Sequence, residues 1–383
     1  MPGVNHDLAV ASRNSGAWRT PQMLMAVIPP SGSRYLPTIG SDAASTVKAS
    51  RWSEGRAFVT WSSPWSPGRQ RRKSGRFCSG ACTLGSVPIT DVHPELRTAA
   101  RRLPSTLISP ATVRAMRWLE RLQRFRASPG VQQLITTEGI RVRLHRPPYG
   151  GDSGPALLWI HGGGYVVGTA YQDDRLCAKL ARELGITVAS ADYRLAPEHP
   201  YPAGLQDCYT ALQWLARLPA VDPSRIAIGG ASAGGGLAAA LAFLARDRGE
   251  ITPVAQLLVY PMLDDRSVEH THLDALETRL WNRRSNRYGW SSYLRGADPT
   301  IAVPARRTDL AGLPPTWIGV GTLDLFHDED VAYAQRLRAA GVPCELQVVP
   351  GAFHGFDQIV AGSSVAQQFF AHQTGHLRAA FAG

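Results

Sequence analysis

Short runs of aliphatic and β-branched residues alternate with segments of helical periodicity over residues 140–349. The runs have the length of buried strands and lie at residues 140–144, 156–160, 186–191, 226–229, 257–260, 316–320 and 346–349. The helical segments between them lie at residues 173–184, 205–218, 235–245 and 328–340. This alternation predicts an α/β fold with a mostly parallel sheet that helices cover on both faces. In such sheets, chemistry gathers in the loops at the carboxyl ends of the strands.

A candidate nucleophile lies in the Gly-Ala-Ser-Ala-Gly segment at residues 230–234, between a predicted strand and a predicted helix. The segment matches G-x-S-x-G, in which the serine occupies a sharp strand-to-helix turn and its hydroxyl projects above the sheet edge. Small residues at Gly230 and Gly234 avoid clashes in such a turn, and the helix N-terminus favours a developing negative charge. Ser232 is therefore the predicted nucleophile, although a glycine- and serine-rich loop without chemistry would also match the pattern.

A candidate oxyanion hole follows the predicted strand 156–160, in the His-Gly-Gly-Gly-Tyr segment at residues 161–165. Successive glycines let the main chain approach a substrate and turn its N–H groups inward, where they and the N–H of Ala233 would bind an oxyanion. A flexible turn and a phosphate-binding loop are the alternatives. Phosphate binding is disfavoured because no Lys-Ser or Lys-Thr pair follows and G-x-G-x-x-G spacing is absent. His161 lacks partners spaced for a metal site, so neither a metal nor a cofactor is predicted.

The candidate acid and base are Asp324 and His354, which follow the predicted strands 316–320 and 346–349. They come after Ser232 in the serine, acid, histidine order that accompanies the G-x-S-x-G turn. In such a triad the histidine deprotonates the serine, and the acid orients the histidine and stabilises its charged form. Asp324 would alternatively only cap the helix that follows. The rival side chains are His327, Asp328 and Glu329 for the acid, and His199, His372 and His376 for the base.

Taken in order, these segments resemble the hormone-sensitive-lipase-like esterases, the group IV bacterial lipolytic enzymes. The matching pieces are His-Gly-Gly-Gly at residues 161–164, Asp-Tyr-Arg-Leu-Ala-Pro-Glu at 192–198, Gly-Ala-Ser-Ala-Gly-Gly at 230–235, and the loops at Asp324 and 354–356. The resemblance implies an α/β-hydrolase fold over residues 87–383 and ester hydrolysis without a cofactor.

The same resemblance implies a role for each candidate residue. The triad would be Ser232, Asp324 and His354, and the oxyanion donors would be Gly163, Gly164 and Ala233. Two segments depart from the family pattern. Residue 231 is Ala where family members often carry Asp, and Leu-Phe-His at residues 325–327 stands where Pro-Leu-Arg is frequent. Neither departure removes a catalytic group, so we expect both to alter loop contacts and substrate preference.

A helical cap over the serine is also implied by the resemblance. Its elements would be residues 94–126, whose apolar positions have helical spacing, and an insertion at residues 265–310. The insertion carries four aromatic side chains, Trp281, Tyr288, Trp290 and Tyr293. They would either line an acyl pocket or simply pack the inserted helices together.

The leading functional hypothesis is hydrolysis of short- to medium-chain carboxylic esters through an acyl-serine intermediate. An amidase, deacetylase or peptidase stays open, because the same triad attacks amides. A non-catalytic ligand binder is the alternative from another class, since the plant gibberellin receptor resembles this family but has lost the catalytic histidine. The presence of His354 favours an enzyme.

The first 86 residues differ in composition from the rest of the chain. Residues 1–90 contain 11 Lys and Arg against 3 Asp and Glu, so they hold most of the net charge of +11. Segment 1–86 is rich in Ser, Gly, Pro and Arg, without periodicity, and is therefore predicted to be disordered. A basic run such as residues 71–76 can bind nucleic acid or acidic lipid. No nucleic-acid-binding motif accompanies it, so no nucleic-acid partner is predicted.

Cysteine usage and apolar run lengths bear on the cellular setting. Five cysteines form an odd set without disulfide or zinc spacing, which favours a reduced, cytoplasmic environment. The longest clean apolar run near the N-terminus, residues 23–28, is shorter than a secretory core, and no run approaches a membrane span. The expected partner is a small-molecule ester, and a homodimer stays open.

Overall fold

The computed structural model describes residues 89–104, 108–123, 126–148, 153–270 and 280–382. These residues belong to a compact unit that spans Cys78–Gly383. The segment predicted to be disordered, residues 1–86, lies outside them. Within the described ranges, no helix has both the length and the apolar character that crossing a membrane requires.

An eight-stranded sheet is the centre of the described part of the chain. Its strands are β1 (Val131–Ile135), β2 (Arg141–His145), β3 (Gly154–Ile160), β4 (Thr187–Asp192), β5 (Val221–Ala231), β6 (Gln256–Val259), β7 (Thr316–Gly321) and β8 (Cys344–Val349). Their spatial order is β1-β2-β4-β3-β5-β6-β7-β8. Strand β2 pairs antiparallel with β1 and β4, and the pairs from β4 to β8 are parallel. The predicted α/β-hydrolase fold with a mostly parallel sheet is confirmed.

Helices lie between and around the strands. They are α1 (Arg97–Arg102), α2 (Pro110–Gln123), α3 (Asp174–Leu184), α4 (Ala203–Ala216), α5 (Ala233–Arg248), α6 (Arg283–Leu294), α7 (Pro299–Ala302), α8 (His327–Ala339), α9 (Phe356–Ile359) and α10 (Ser364–Ala382). Short 3₁₀ helices span Pro94–Leu96, Ala170–Asp173, Asp265–Glu269 and Pro304–Arg306. The four helical segments predicted between strands correspond to α3, α4, α5 and α8.

Side chains along each central strand alternate between two hydrophobic cores, as the two-residue period of a strand requires. In β3, Leu158 and Ile160 belong to one core, whereas Leu157 and Trp159 belong to the other. Helices α4, α5 and α8 cover the first face, and α3 and α10 cover the second. Because both faces are buried, the central strands are nearly continuous apolar runs, which is the pattern that predicts them from sequence.

Strand β1 has no counterpart among the predicted strands. It pairs only with β2 and therefore forms an edge of the sheet. Its sequence, Val-Gln-Gln-Leu-Ile, exposes Gln132, Gln133 and Ile135 to solvent. An edge strand with so much exposed surface needs no continuous apolar run, so the pattern used for the central strands does not detect it.

The first of the two segments assigned to a cap contacts two different parts of the molecule. The 3₁₀ helix Pro94–Leu96 packs beside the end of β8, where the N–H of His93 donates to the carbonyl of Gly351 at 2.9 Å. Further along, the inserted helix α6 lies beside the start of α2, because the hydroxyl of Ser285 donates to the carbonyl of Ile108 at 3.1 Å. The start of the first segment, near Pro94, is thus tied to the sheet, and the start of α2 is tied to the insertion.

Candidate active site

The candidate nucleophile sits on the turn between β5 and α5. Ser232 has φ 58° and ψ −123°, a left-handed φ that is uncommon for a residue other than glycine. The flanking glycines are required by close packing: a β-carbon on Gly230 would lie 2.5 Å from the main chain of Gly234, and one on Gly234 would lie 2.0 Å from the carbonyl oxygen of Ile160. The turn therefore accommodates the G-x-S-x-G sequence and few others.

The glycine run after β3 forms a second tight turn, next to the first. A β-carbon on Gly162 would lie 3.3 Å from the Cβ of Ser232, so the two turns touch. Gly163 has φ 125° and Gly164 has φ 59°, and a β-carbon on Gly163 would lie 1.9 Å from the carbonyl oxygen of Val167. Glycine is thus demanded here both by backbone conformation and by space.

The loops after β7 and β8, which carry Asp324 and His354, are joined to each other by hydrogen bonds. The N–H of Leu323 donates to the carbonyl of Ala352 at 3.0 Å, and the N–H of Gly351 donates to the hydroxyl of Thr322 at 2.8 Å. Because β7 and β8 are adjacent parallel strands, their carboxyl ends bring these loops to the same edge of the sheet as Ser232.

Three of the predicted site residues form one hydrogen-bonded chain. The distance between Nε2 of His354 and Oγ of Ser232 is 3.0 Å, and the distance between Nδ1 of His354 and Oδ2 of Asp324 is 2.8 Å. The other carboxylate oxygen of Asp324 accepts the N–H of Phe326 at 3.0 Å. All three side chains are buried, with Asp324 only 1% exposed. The arrangement can move a proton from the serine hydroxyl to an imidazole that a carboxylate orients.

Two aromatic rings enclose the imidazole. Phe326 belongs to the Leu-Phe-His departure at residues 325–327, and Tyr260 was not predicted to lie at the site. Tyr260 and Phe326 approach His354 edge-on, at centroid distances of 4.7 and 5.3 Å. The Tyr260 hydroxyl donates to Asp357 at 2.8 Å, and burial followed by the nearby Asp357 carboxylate raises the pKa of Tyr260 well above its usual value. Tyr260 directly follows β6 and is the last residue of the predicted strand 257–260, so its place at a strand end was the available signal.

The rival acids and bases lie elsewhere. His327 contacts the adjacent Asp328, and Glu329 accepts the backbone N–H groups of Leu263 and Asp264 at 2.7 and 3.0 Å. Of the rival bases, His199 is exposed in the loop before α4, and His372 and His376 belong to α10. None of these side chains appears in the hydrogen-bonded chain of Ser232, His354 and Asp324.

The aromatic residues of the insertion separate into two groups. The Trp281 ring lies against the glycine turn, because a β-carbon on Gly164 would meet its Cη2 atom at 1.9 Å. Tyr293 instead stacks on Tyr165 at 4.1 Å between ring centroids, and Trp290 packs against the same ring at 5.2 Å. Trp281 therefore lies against Gly164, one of the candidate oxyanion donors, whereas Trp290 and Tyr293 pack on the side chain of the next residue, Tyr165.

Metal-ligating side chains do not cluster in the described residues. No group of three or more His, Cys, Asp or Glu side chains within those ranges is arranged to hold a metal ion. His161, the metal candidate of the glycine run, stacks on Tyr193 at 4.3 Å between ring centroids and places Nδ1 2.8 Å from the carbonyl oxygen of Gly162. Its contacts hold the turn in place.

Comparison with known proteins identifies the family. Residues 157–358 match a family model described as an alpha/beta hydrolase fold. Carboxylesterase NlhH of Mycobacterium tuberculosis is 35% identical over 295 residues, which cover 72% of this chain and 91% of that protein. The chain belongs to the hormone-sensitive-lipase-like esterase family.

Other esterases of the family agree with this assignment. A bacterial heroin esterase of known structure has a TM-score of 0.68 and 36% identity, covering 77% of this chain and 99% of its own. Ethyl acetate hydrolase of Pseudomonas putida is 36% identical over 250 residues, 58% of this chain and 74% of that protein. The predicted family and the predicted enzyme class, a serine carboxylesterase, are confirmed.

Proposed function

We propose that this carboxylic ester hydrolase acts on short- to medium-chain acyl esters, with Ser232 as nucleophile, His354 as general base and Asp324 as the acid that orients it. The observation that carries the proposal is the continuous hydrogen-bonded chain from Oγ of Ser232 to the carboxylate of Asp324, at 3.0 and 2.8 Å. Such a chain is what proton removal from a serine hydroxyl requires.

The reaction proceeds in two halves. Oγ of Ser232 attacks the ester carbonyl carbon while Nε2 of His354 takes the hydroxyl proton, and the resulting imidazolium is stabilised by Asp324. Collapse of the tetrahedral intermediate breaks the bond to the alcohol oxygen, which leaves with the proton from Nε2. Water then attacks the acyl-serine, giving its proton to His354, and the carboxylic acid departs as Ser232 regains a proton.

The negative oxygen of each intermediate is bound by the N–H groups of Gly163, Gly164 and Ala233. Two observations support these donors. Within the described residues, neither glycine N–H donates to a backbone carbonyl, and Ala233 is the first residue of α5, where helical N–H groups have no intrahelical partner. The positive end of the helix macrodipole at Ala233 adds a favourable field for the oxyanion.

A restricted acyl site is supported by the insertion. Trp281 lies against Gly164, and Gly289 of α6 packs so closely that a β-carbon there would lie 2.8 Å from the carbonyl oxygen of Gly164. Leu280 lies near Gly355, which follows His354. Bulky apolar side chains beside both the glycine turn and the base limit the space for the acyl group, which favours short acyl chains over long ones. The relative named ethyl acetate hydrolase supports the same preference.

The test is turnover of p-nitrophenyl esters from acetate to palmitate by wild type, Ser232→Ala and His354→Ala. The half-exposed His372, which contacts Glu345 at 3.8 Å, supplies a matched histidine control in His372→Ala. We expect a peak at short or medium chains, loss in the first two variants and full activity in the control.

Labelling by a fluorophosphonate separates the failures. If wild type is labelled at Ser232 but cleaves no ester, its substrate is an amide or a peptide. If folded wild type shows no labelling and no turnover, the catalytic assignment is rejected. A maximum at palmitate would reject the proposed acyl length and leave the triad standing.

A further inference from the structure

One side chain of helix α2 reaches two separate segments of the hydrolase core. Nε of Arg117 donates to the carbonyl oxygen of Val166 at 2.7 Å. Its two terminal nitrogens donate to the carbonyl oxygen of Ala196 and to the carboxylate of Glu198. The planar guanidinium presents its donors in a fixed fork, so it is suited to hold three acceptors at once.

A second side chain of α2 holds the same stretch of main chain from the other end. Oε1 of Glu120 accepts the N–H of Gly168 at 2.9 Å. Arg117 and Glu120 are three residues apart and therefore lie on one face of the helix. Between them they hold a carbonyl and an N–H of the three-residue stretch 166–168.

That stretch closes the glycine turn. The N–H groups of Val166 and Val167 both donate to the carbonyl oxygen of Gly163, at 3.0 Å each. Packing is equally tight on the other side, because a β-carbon on Gly168 would lie 2.4 Å from the carbonyl oxygen of Gly162. A shift of residues 166–168 would therefore be transmitted to the peptide groups of Gly163 and its neighbour Gly164.

The solvent exposure of Arg117 and its acceptors indicates which of its hydrogen bonds contribute most to holding the loop. The Arg117 side chain is only 18% exposed, whereas Glu198 is 60% exposed, and a solvent-exposed ion pair contributes little. The two carbonyl bonds of Arg117 are partly buried. Both Arg117 and Glu120 line a cavity of about 680 Å³ whose lining includes none of Ser232, Asp324 and His354.

We infer that Arg117 and Glu120 are positioning residues for the oxyanion donors: they fix residues 166–168 and thereby the N–H groups of Gly163 and Gly164. The inference rests on the proposed function, since it assigns a role to a turn whose donors are themselves proposed. It predicts that the two side chains raise kcat and leave substrate binding nearly unchanged, because the oxyanion exists only after attack.

The experiment compares Arg117→Ala, Arg117→Lys, Glu120→Ala and Glu120→Gln with wild type. Arg114→Ala is the matched control, because Arg114 is an exposed arginine one turn earlier on the same helix. For Arg117→Ala we expect kcat to fall about tenfold or more, as a misplaced catalytic geometry does, with KM within about threefold. Lysine has one nitrogen and cannot replace the fork, whereas the amide oxygen introduced by Glu120→Gln can still accept the Gly168 N–H.

A second readout separates positioning from mere folding support. A trifluoromethyl ketone forms a tetrahedral adduct with an activated serine, so its inhibition constant should rise by the same factor as kcat/KM falls. Thermal unfolding of each variant identifies any that fail to fold, and the Glu120→Ala and Glu120→Gln pair then carries the test.

Two results would overturn the inference while the proposed function stands. One is unchanged kcat in folded Arg117→Ala and Glu120→Ala; the other is a loss of kcat/KM without a parallel rise in the inhibition constant. A wild type that neither turns over esters nor reacts with a fluorophosphonate is a different outcome, which rejects the proposed function itself.

Discussion

The strand ends that carry Ser232, Asp324 and His354 are held differently from the helices packed against them. At the strand ends, the main contacts join backbone groups: the N–H of Ser232 donates to the carbonyl of Val259 at 2.9 Å, and the N–H of Leu323 donates to the carbonyl of Ala352 at 3.0 Å. The helical cover, formed by α2 and α6, is held mainly by side-chain bonds, such as those of Arg117 and Ser285, beside a backbone bond from the N–H of Tyr201 to the carbonyl of Tyr293 at 2.7 Å. It also leaves apolar groups in solvent, with Trp118 65% exposed.

Substitutions in these two regions should therefore have different effects. Backbone-held geometry depends on the fold and on a few glycines, so changes at the strand ends should affect chemistry through the altered group alone. Geometry held by one side chain changes when that side chain changes. We therefore expect the strand ends to determine the rate of the chemical step, and the helical cover to modulate both its fine alignment and the choice of acyl group.

The largest effect is expected at Asp324, and a second buried carboxylate provides its control. Asp324→Asn should lower kcat by about 10³–10⁴, because the amide stabilises the wrong imidazole tautomer. Asp330 is also fully buried, whereas the hydrogen bonds of the His354 ring go to Asp324 and Ser232. Burial first, then the Glu329 and Asp324 carboxylates, raise the pKa of Asp330 well above its usual value. Asp330→Asn should leave kcat within about threefold. Equal losses in both variants, measured with p-nitrophenyl butyrate, would contradict the distinction.

The next largest effect should come from the contact between the two regions. In Gly164→Ala the new methyl group would meet the Trp281 ring at 1.9 Å, and a left-handed φ of 59° adds roughly 1–2 kcal/mol of strain. We expect kcat to fall about 10²-fold, as loss of an oxyanion donor does.

Trp281→Ala in the same chain removes the obstructing ring and should recover part of that loss. Comparing the double variant with both single variants measures the coupling directly. If the losses in kcat are purely additive, the Trp281 ring does not control the glycine turn, and the helical cover does not affect the alignment of the strand ends there.

The central fold and the candidate site are predictable from sequence because the buried strands and glycine turns that form them have local sequence patterns. Buried parallel strands appear as continuous apolar runs, and the turns at their ends demand glycines at fixed offsets, as at Gly230, Gly234 and Gly163. Position after a strand then points to Asp324 and His354. All of this information is local in the chain.

The supporting contacts are not predictable in this way, because they join distant parts of the chain. Arg117 bonds to Val166, 49 positions away, and Tyr260 bonds to Asp357, 97 positions away. Neither pair belongs to a repeated pattern or motif. A single sequence shows that Arg117 lies on a helix with apolar periodicity, but nothing in it shows which carbonyl the guanidinium meets.

Acyl preference should respond to Trp281 more than to any strand-end residue. Trp281→Ala opens space beside Gly164, so longer acyl chains should gain relative to acetate. We expect the ratio of kcat/KM for octanoate to that for acetate to rise about tenfold, within the range that a few methylene groups contribute in an apolar pocket. Trp290→Phe, at a ring that packs on the Tyr165 side chain, keeps an aromatic ring in place and is the control. An unchanged ratio of the two kcat/KM values in Trp281→Ala would show that the insertion does not determine acyl preference.

The smallest effect on turnover, and a measurable one on stability, is expected at Asp173. This buried carboxyl accepts the indole N–H of Trp159 at 2.8 Å, and burial raises its pKa from 3.8 to about 7. Between these values the folded protein binds a proton that the unfolded chain has released, so the free energy of unfolding falls as pH rises. The penalty is absent below pH 4 and complete above about pH 7.

Asp173→Asn removes this titration while an amide oxygen still accepts the Trp159 N–H. Urea unfolding at several pH values should show the variant gaining about 2–3 kcal/mol relative to wild type between pH 5 and pH 8, with kcat unchanged. The exposed Asp91, replaced in Asp91→Asn, should show no such gain. A pH-independent difference between Asp173→Asn and wild type would mean that the carboxylate is solvated in the folded protein.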